Sequence, residues 1–163
     1  MKKVILTLIL IVGIMTPVKR ISSIGFTSTL LVEKEAFLEG VPANILKGIC
    51  YTESKFKIKA LNKFDAGSPS YGLCQIKYGT AKAMGFKGTR KELMSAQVNM
   101  KYAAKYLRYQ IDRYNGDIRK AVLAYNAGSY KAKVKTKKYE IAYNESYYKK
   151  VLKGSMVDTN NIF

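Results

Sequence analysis

Residues 42–54 read as a helix whose apolar side carries a carboxylate. Pro42 suits the first turn, because its missing N–H is one that a helix start cannot use. At about 100° per residue, Ile45, Ile49, Leu46 and Cys50 fall at roughly 0, 40, 100 and 140°. Glu53 falls at about 80°, inside that arc, and so points toward the core from the last turn. Burial disfavours the charged form and raises the pKa of a carboxyl group. That is how a glutamate becomes a general acid near neutral pH. The alternative is a partly exposed residue at a fraying helix end, with a structural role only.

The rest of the composition narrows the chemistry. With 163 residues, 48% of them hydrophobic, the chain suits one domain with a modest core. It holds 29 Lys and Arg against 11 Asp and Glu, and no His. Without His, Ser-His and Cys-His catalysis and most zinc sites are excluded. No metal and no cofactor is expected. Acid–base work falls to the few carboxylates, the tyrosines or the lysines.

Met1-Lys2-Lys3, an apolar run from Val4 to Met15, and Thr16-Pro17 describe an export signal. The run is short of the roughly 20 residues of a membrane span. Lys19-Arg20 follow it without a small-x-small cleavage site, which keeps an uncleaved anchor open. The expected division is residues 1–25 as export signal or anchor, 27–154 as the domain and 155–163 as a frayed tail. The domain is expected outside the cytoplasm, in a periplasm or cell envelope, touching membrane only through an uncleaved N-terminal segment. Loss of residues 1–25 removes four basic residues and no acidic ones, leaving +14. Such a field favours polyanionic partners; export puts wall and envelope polymers ahead of nucleic acid, which is not expected.

Helical periods recur along the chain. Leu30, Leu31, Lys34, Phe37 and Leu38 are spaced for one face of a helix over 30–39, which Gly40 ends. From Lys55 to Gln75 no helical period survives, and Asn62, Asp65, Gly67, Ser68, Pro69 and Ser70 supply turn chemistry. This reads as an irregular lobe with one small hairpin. Thr80–Met84 forms a short helix closed by Gly85, and Thr89 with Glu92 forms a capping box. A long helix runs over 96–114, burying Tyr102, Ala103, Tyr106, Leu107 and Ile111. Asp117 caps a helix over 118–126, Gly128 takes its left-handed end, and a last helix covers 145–152. The run Lys131, Lys133, Lys135, Lys137 and Lys138 reads as a solvated loop, with a short basic strand as its alternative.

Several stretches together resemble the lytic transglycosylase domain family. Glu53-Ser54-Lys55-Phe56 is similar to its Glu-Ser motif, and Ser70-Tyr71-Gly72-Leu73-Cys74-Gln75-Ile76 to its Gly-Leu-Met-Gln segment. Ala124-Tyr125-Asn126-Ala127-Gly128 matches its Ala-Tyr-Asn-x-Gly motif, with Tyr106-Leu107 on the helix before it. Tyr147–Val151 resembles a weaker copy of its Tyr-Val-x-x-Val.

The resemblance covers residues 41–152 and implies a mainly α, lysozyme-like (α+β) fold. A helical domain and a small hairpin lobe would enclose a glycan cleft. It implies cleavage between N-acetylmuramic acid and N-acetylglucosamine, with Glu53 as single acid/base and a 1,6-anhydro product. Ser54, Gly72, Gln75, Tyr125, Asn126 and Tyr147 would bind substrate or support the site. Ser54 would orient it and Gly72 would let backbone approach sugar. Gln75 would hydrogen-bond the cleft or brace the lobe, and the Tyr125 hydroxyl would reach Glu53 or substrate. Asn126 would hold backbone near the site. Tyr147 is one of many tyrosines and carries less weight.

Partners would be peptidoglycan strands, with anionic wall polymers or a secretion or conjugation apparatus beyond them. Two departures stand out. Cys74 replaces the motif's Met, Cys50 precedes Glu53 by one helical turn, and two buried thiols are expected ahead of a disulfide. A longer loop before Gly72 carries Asp65, a candidate second carboxylate of the kind hydrolytic lysozymes use. A muramidase of the same fold and a non-catalytic polymer-binding protein are the competing readings.

Overall fold

The computed structural model describes residues 23–136 and 138–158. The apolar run read as export signal or anchor, and residues 159–163 of the expected tail, lie outside them. Helix α1 (Ser23–Glu39) starts earlier than residue 30. Its buried stripe is Leu31, Val32, Glu35 and Ala36, which faces α4 and α2, whereas Phe37 is 86% exposed and Leu38 61%. Of the expected face over Leu30, Leu31, Lys34, Phe37 and Leu38, Leu31 is buried and the other four are turned outward. Apolar spacing alone does not identify the buried side when both sides carry apolar residues.

Helix α2 (Ala43–Ser54) begins at Pro42, whose carbonyl accepts from the Ile45 and Leu46 amides. It stops abruptly after Ser54, where Lys55 (φ 57°) and Phe56 (φ 59°) both adopt left-handed backbone. Such conformations are costly for side chains with a Cβ and persist where surrounding packing holds them. Phe56 is 2% exposed and supplies that packing.

Three two-residue strands follow, β1 (Leu61–Asn62), β2 (Ser70–Tyr71) and β3 (Ile76–Lys77), antiparallel in that order. The expected hairpin thus gains a third strand. Helix α3 (Tyr78–Ala83) leads to the capping box. There the Thr89 amide donates to Glu92 Oε2 at 2.6 Å and the Glu92 amide to Thr89 Oγ1 at 3.3 Å. A 3-10 turn covers Glu92–Met94.

Helix α4 (Ala96–Arg113) runs through the core, capped by Ser95, and buries Met100, Ala103, Ala104, Leu107 and Ile111. Helix α5 (Ile118–Ala127) is capped by Asp117, which accepts from the Lys120 amide, and ends at Gly128 with φ 77°. Lys133 and Lys135 of the lysine run lie on a strand, β4 (Ala132–Lys135), paired with β5 (Glu140–Ala142), rather than in a plain loop, and Lys137 lies outside the described residues. Helix α6 (Glu145–Ser155) extends past the expected end and carries Gly154 inside it.

That glycine has a packing reason. A Cβ on Gly48 of α2 would lie 2.3 Å from the Val151 carbonyl oxygen, and one on Gly154 would lie 3.0 Å from the Gly48 oxygen. Two helix-interior glycines, each costing about 1 kcal/mol in helix propensity, let α2 and α6 approach backbone to backbone. Their register sets which α6 side chain meets the end of α2. Among the described residues no helix is long and apolar enough to cross a membrane.

Candidate active site

A cleft of about 550 Å³ lies between the helices and the strands. Its walls include Glu53, Asp65, Gln75, Lys77, Tyr106 and Tyr125. Asn126, Ala127 and Gly128 at the end of α5 complete its rim. Glu53 stands half-buried at this cleft rather than sealed in the core, presented by the last turn of α2.

The Tyr147 hydroxyl of α6 donates to Glu53 Oε1 at 2.6 Å. Burial pushes the Glu53 pKa up to about 6. The Tyr147 hydrogen bond opposes that rise, since it favours the charged form, and the charge of Asp65 adds to it. Burial dominates, and the group sits where it can both give and take a proton near neutral pH. Tyr147, one tyrosine among 13, is the side chain that hydrogen-bonds Glu53 among the described residues. Its place follows from the glycine contact between α2 and α6, which helical periodicity does not reveal.

Tyr125 is buried beside the cleft, but its hydroxyl donates to the Cys74 carbonyl at 3.1 Å rather than to Glu53. Burial, with the nearby Glu53 carboxylate second, drives its pKa well above the usual tyrosine value, so it stays a neutral donor. Ser54 is buried and donates to the Leu73 carbonyl at 2.6 Å, tying the end of α2 to the strand lobe.

Gln75, itself at φ 50°, donates through Nε2 to the Gly72 and Ala60 carbonyls and accepts from Ser70 Oγ. It braces the lobe while lining the cleft. Gly72 is buried away from the cleft wall. Its φ is 72°, and a Cβ there would lie 2.5 Å from Asn99 Nδ2. The close approach at Gly72 is therefore to Asn99 and not to an open surface. Asn126 is exposed at the rim, where its Oδ1 accepts from Asn144.

Two groups escaped the sequence reading. Asn99 is fully buried on α4, donates to the Tyr71 and Leu93 carbonyls and accepts from the Cys74 amide at 2.8 Å. Its signal was an amide standing one turn before Ala103 on the apolar face of a helix. Lys77 donates to the Asp65 carbonyl at 2.8 Å, and its ammonium lies 3.7 Å from Asp65 Oδ2, which holds that carboxylate at the strand wall. The expectation of two thiols is overturned: Cys50 and Cys74 form a disulfide. Asn99 holds the Cys74 amide, and Cys50 faces that turn from α2, so the bridge joins the two walls one turn before Glu53.

Fold and cleft together define a lysozyme-like, mainly helical domain whose cleft holds a carboxyl group of raised pKa. The chain belongs to the transglycosylase SLT domain family, which it matches over residues 31–150. Protein IpgF of Shigella flexneri is 34% identical over 115 residues, covering 69% of this chain and 73% of that protein. The peptidoglycan transglycosylase gp16 of Escherichia phage T7 is 33% identical over 101 residues, 60% of this chain but only 7% of the phage protein. The solved structure of an inactive mutant of the lytic transglycosylase Slt from Pseudomonas aeruginosa superposes with a TM-score of 0.55 at 21% identity. That match covers 80% of this chain and 21% of the Slt chain, and it speaks for the fold.

Proposed function

We propose that this protein is a peptidoglycan lytic transglycosylase acting in the cell envelope, with Glu53 as its single acid/base. The observation that carries the reading is Glu53 itself: half-buried at a polar cleft, bonded to Tyr147, with its pKa raised to about 6. Family membership and the phage relative's name support it.

In the proposed reaction, protonated Glu53 gives its proton to the oxygen linking muramoyl C1 to the 4-position of N-acetylglucosamine. The C1–O bond breaks as the muramoyl N-acetyl oxygen bonds to C1. The 6-hydroxyl then attacks C1 and displaces that oxygen. Its proton passes to the Glu53 carboxylate, which restores the acid. One carboxyl serves both steps, and no water is consumed. The 6-hydroxyl is held by the substrate itself, an advantage of several kcal/mol over free water. Tyr147 steadies the carboxylate form between the steps.

A second reading has its own observation. Asp65 lines the same cleft and its charge acts on Glu53, which is the arrangement a hydrolytic muramidase uses. Mass spectra of digested wall separate the two. The expected products end in 1,6-anhydromuramic acid, lighter by one water than hydrolytic products, and they persist in Asp65→Asn. Reducing-end muramic acid as the main product, lost on Asp65→Asn, would make the protein a lysozyme. Purified wall left uncleaved by the full-length protein would leave only polymer binding.

A further inference from the structure

The β4–β5 hairpin carries a run of basic residues that does not line the cleft. Lys131, Lys133, Lys135 and Lys138 are all exposed, and among the described residues none of the four has an acid within ion-pair distance. The acids nearby are already engaged at the hairpin's base. Arg119 Nε donates to Glu145 Oε1 at 3.0 Å, its Nη2 to the Glu140 carbonyl and to Glu145 Oε2. Glu145 Oε2 also accepts from the Ala142 amide at 3.2 Å, and the Lys120 ammonium lies 3.7 Å from Glu140. Arg119 holds the Glu145 pKa below its usual value, so this clamp stays charged.

An isolated two-stranded ribbon is marginal in water, and here the clamp supplies what a third strand would. The lysines are thus presented on an anchored arm, with Val134 paired across to Ile141 and Tyr139 exposed beside them. The base of the arm meets the cleft. Asn144, just after β5, donates to the cleft residue Asn126 at 3.1 Å, and Gly128 on the rim opens the loop leading to β4.

We infer that this hairpin is a docking arm for the carboxylates of the stem peptides that hang from muramic acid beside the scissile bond. The inference rests on the transglycosylase reading, because it places a peptide-bearing glycan in the cleft. Stem peptides are anionic groups carried by the same strand, next to the bond cut. Four unpaired ammonium groups on a fixed ribbon match several carboxylates on a flexible chain, each contact being weak and salt-screened.

The test uses the full-length protein on two substrates: glycan strands with intact stem peptides, and the same strands with peptide carboxylates converted to primary amides. Native protein should show a KM about tenfold lower on the carboxylate form at low salt, the sum of several weak contacts. The advantage should vanish at high salt. Changing Lys131, Lys133, Lys135 and Lys138 together to Gln should raise KM on the carboxylate form to the amide level, with kcat holding. The Lys→Arg counterpart should restore it.

An unchanged KM in the Gln variant would overturn the inference, as would equal losses on both substrates. So would an unchanged KM on carboxylate strands combined with lost retention on walls bearing phosphate polymers, which would assign the arm to those instead. Strand binding by Glu53→Gln repeats the comparison without turnover, so failure of the enzyme reading remains distinguishable from failure of the arm.

Discussion

The two walls of the cleft are built by different means. The helical wall carries Glu53 and Tyr125 on α2 and α5, with buried Tyr147 of α6 bonded to Glu53, and it is set by apolar packing and by the Gly48–Gly154 contact. The strand wall carries Lys77 on β3, with Asp65 and Gln75 in the turns that join strands of two residues each. It is held by hydrogen bonds from Ser54, Gln75 and Asn99 and by the Cys50–Cys74 bridge. Shape fixes the proposed proton donor; directed bonds fix the surface that faces it. Disturbance of the first should show in the chemistry, and disturbance of the second in stability.

The largest effect is expected at the donor itself. Glu53→Gln keeps the volume and an acceptor for Tyr147 but has no proton to give. Turnover should fall about 10²–10⁴-fold, as for other acid–base groups. The same variant should gain stability. Because the folded pKa of about 6 exceeds the ordinary 4.5, the folded protein binds that proton more tightly than the unfolded chain. Native stability therefore falls as pH rises from about 4.5 to 6, and the loss is complete above that window. Glutamine escapes it, so the variant should be more stable at pH 8 by on the order of 1–2 kcal/mol, and not at pH 4. Urea melts at the two pH values read this; a difference of the opposite sign would mean that burial does not set the pKa.

Next comes the tie between the walls. The disulfide closes a loop of 24 residues, for which chain entropy gives a contribution of about 3 kcal/mol. Cys50→Ala with Cys74→Ala should lower the urea-derived stability by that order. The Asn99 and Ser54 bonds should keep the site assembled, so residual turnover at low temperature should stay near native. An unmoved urea midpoint on reduction of the native protein would show that those bonds alone hold the strand wall.

What the sequence made legible follows the same division. Helices α2, α4 and α5 carry long periods, a capping Asp117 and a terminal Gly128, and each was readable locally. Glu53 was legible because a carboxylate stood inside an apolar arc. The strand wall was not, since two-residue strands are too short to show alternation. The disulfide was passed over in favour of buried thiols, because the turn at Cys74 is placed by Asn99, 25 residues on. Tyr147 carried little weight for a related reason: the register of α6 on α2 depends on two glycines about 100 residues apart, a contact that no local period reports. On α1, exposed Leu30, Phe37 and Leu38 drew the face to the wrong side.

Gly48→Ala tests the helical wall directly. Alanine gains about 1 kcal/mol in helix propensity, but its Cβ would meet the Val151 carbonyl at 2.3 Å. That contact is to backbone, so α6 must move, and overpacking of this kind costs about 1–3 kcal/mol. The net expectation is a loss of about 1 kcal/mol in stability, with turnover falling further than that loss alone explains, because Tyr147 moves with α6. Unchanged stability together with unchanged turnover would mean that the helix crossing tolerates a wider separation.

The smallest effect sharpens the comparison most, because it separates chemistry from packing at one atom. Tyr147→Phe keeps the ring buried on α6 and removes only the hydroxyl that donates to Glu53 Oε1. That hydrogen bond favours the carboxylate and so pulls the Glu53 pKa down against burial. Without it the pKa should rise by about one unit, the equivalent of a hydrogen bond to a charged group. In the proposed reaction Glu53 acts first as the acid and must start protonated, so the falling limb of the kcat/KM profile should move to higher pH by that unit. Below that limb, turnover should drop only modestly, since the proton is still present while the carboxylate formed in the first step loses a donor. A lost ring contact would lower activity at every pH without moving the limb. A falling limb fixed at its native position in Tyr147→Phe would therefore detach Tyr147 from the proton on Glu53 and leave it a packing residue of the helical wall.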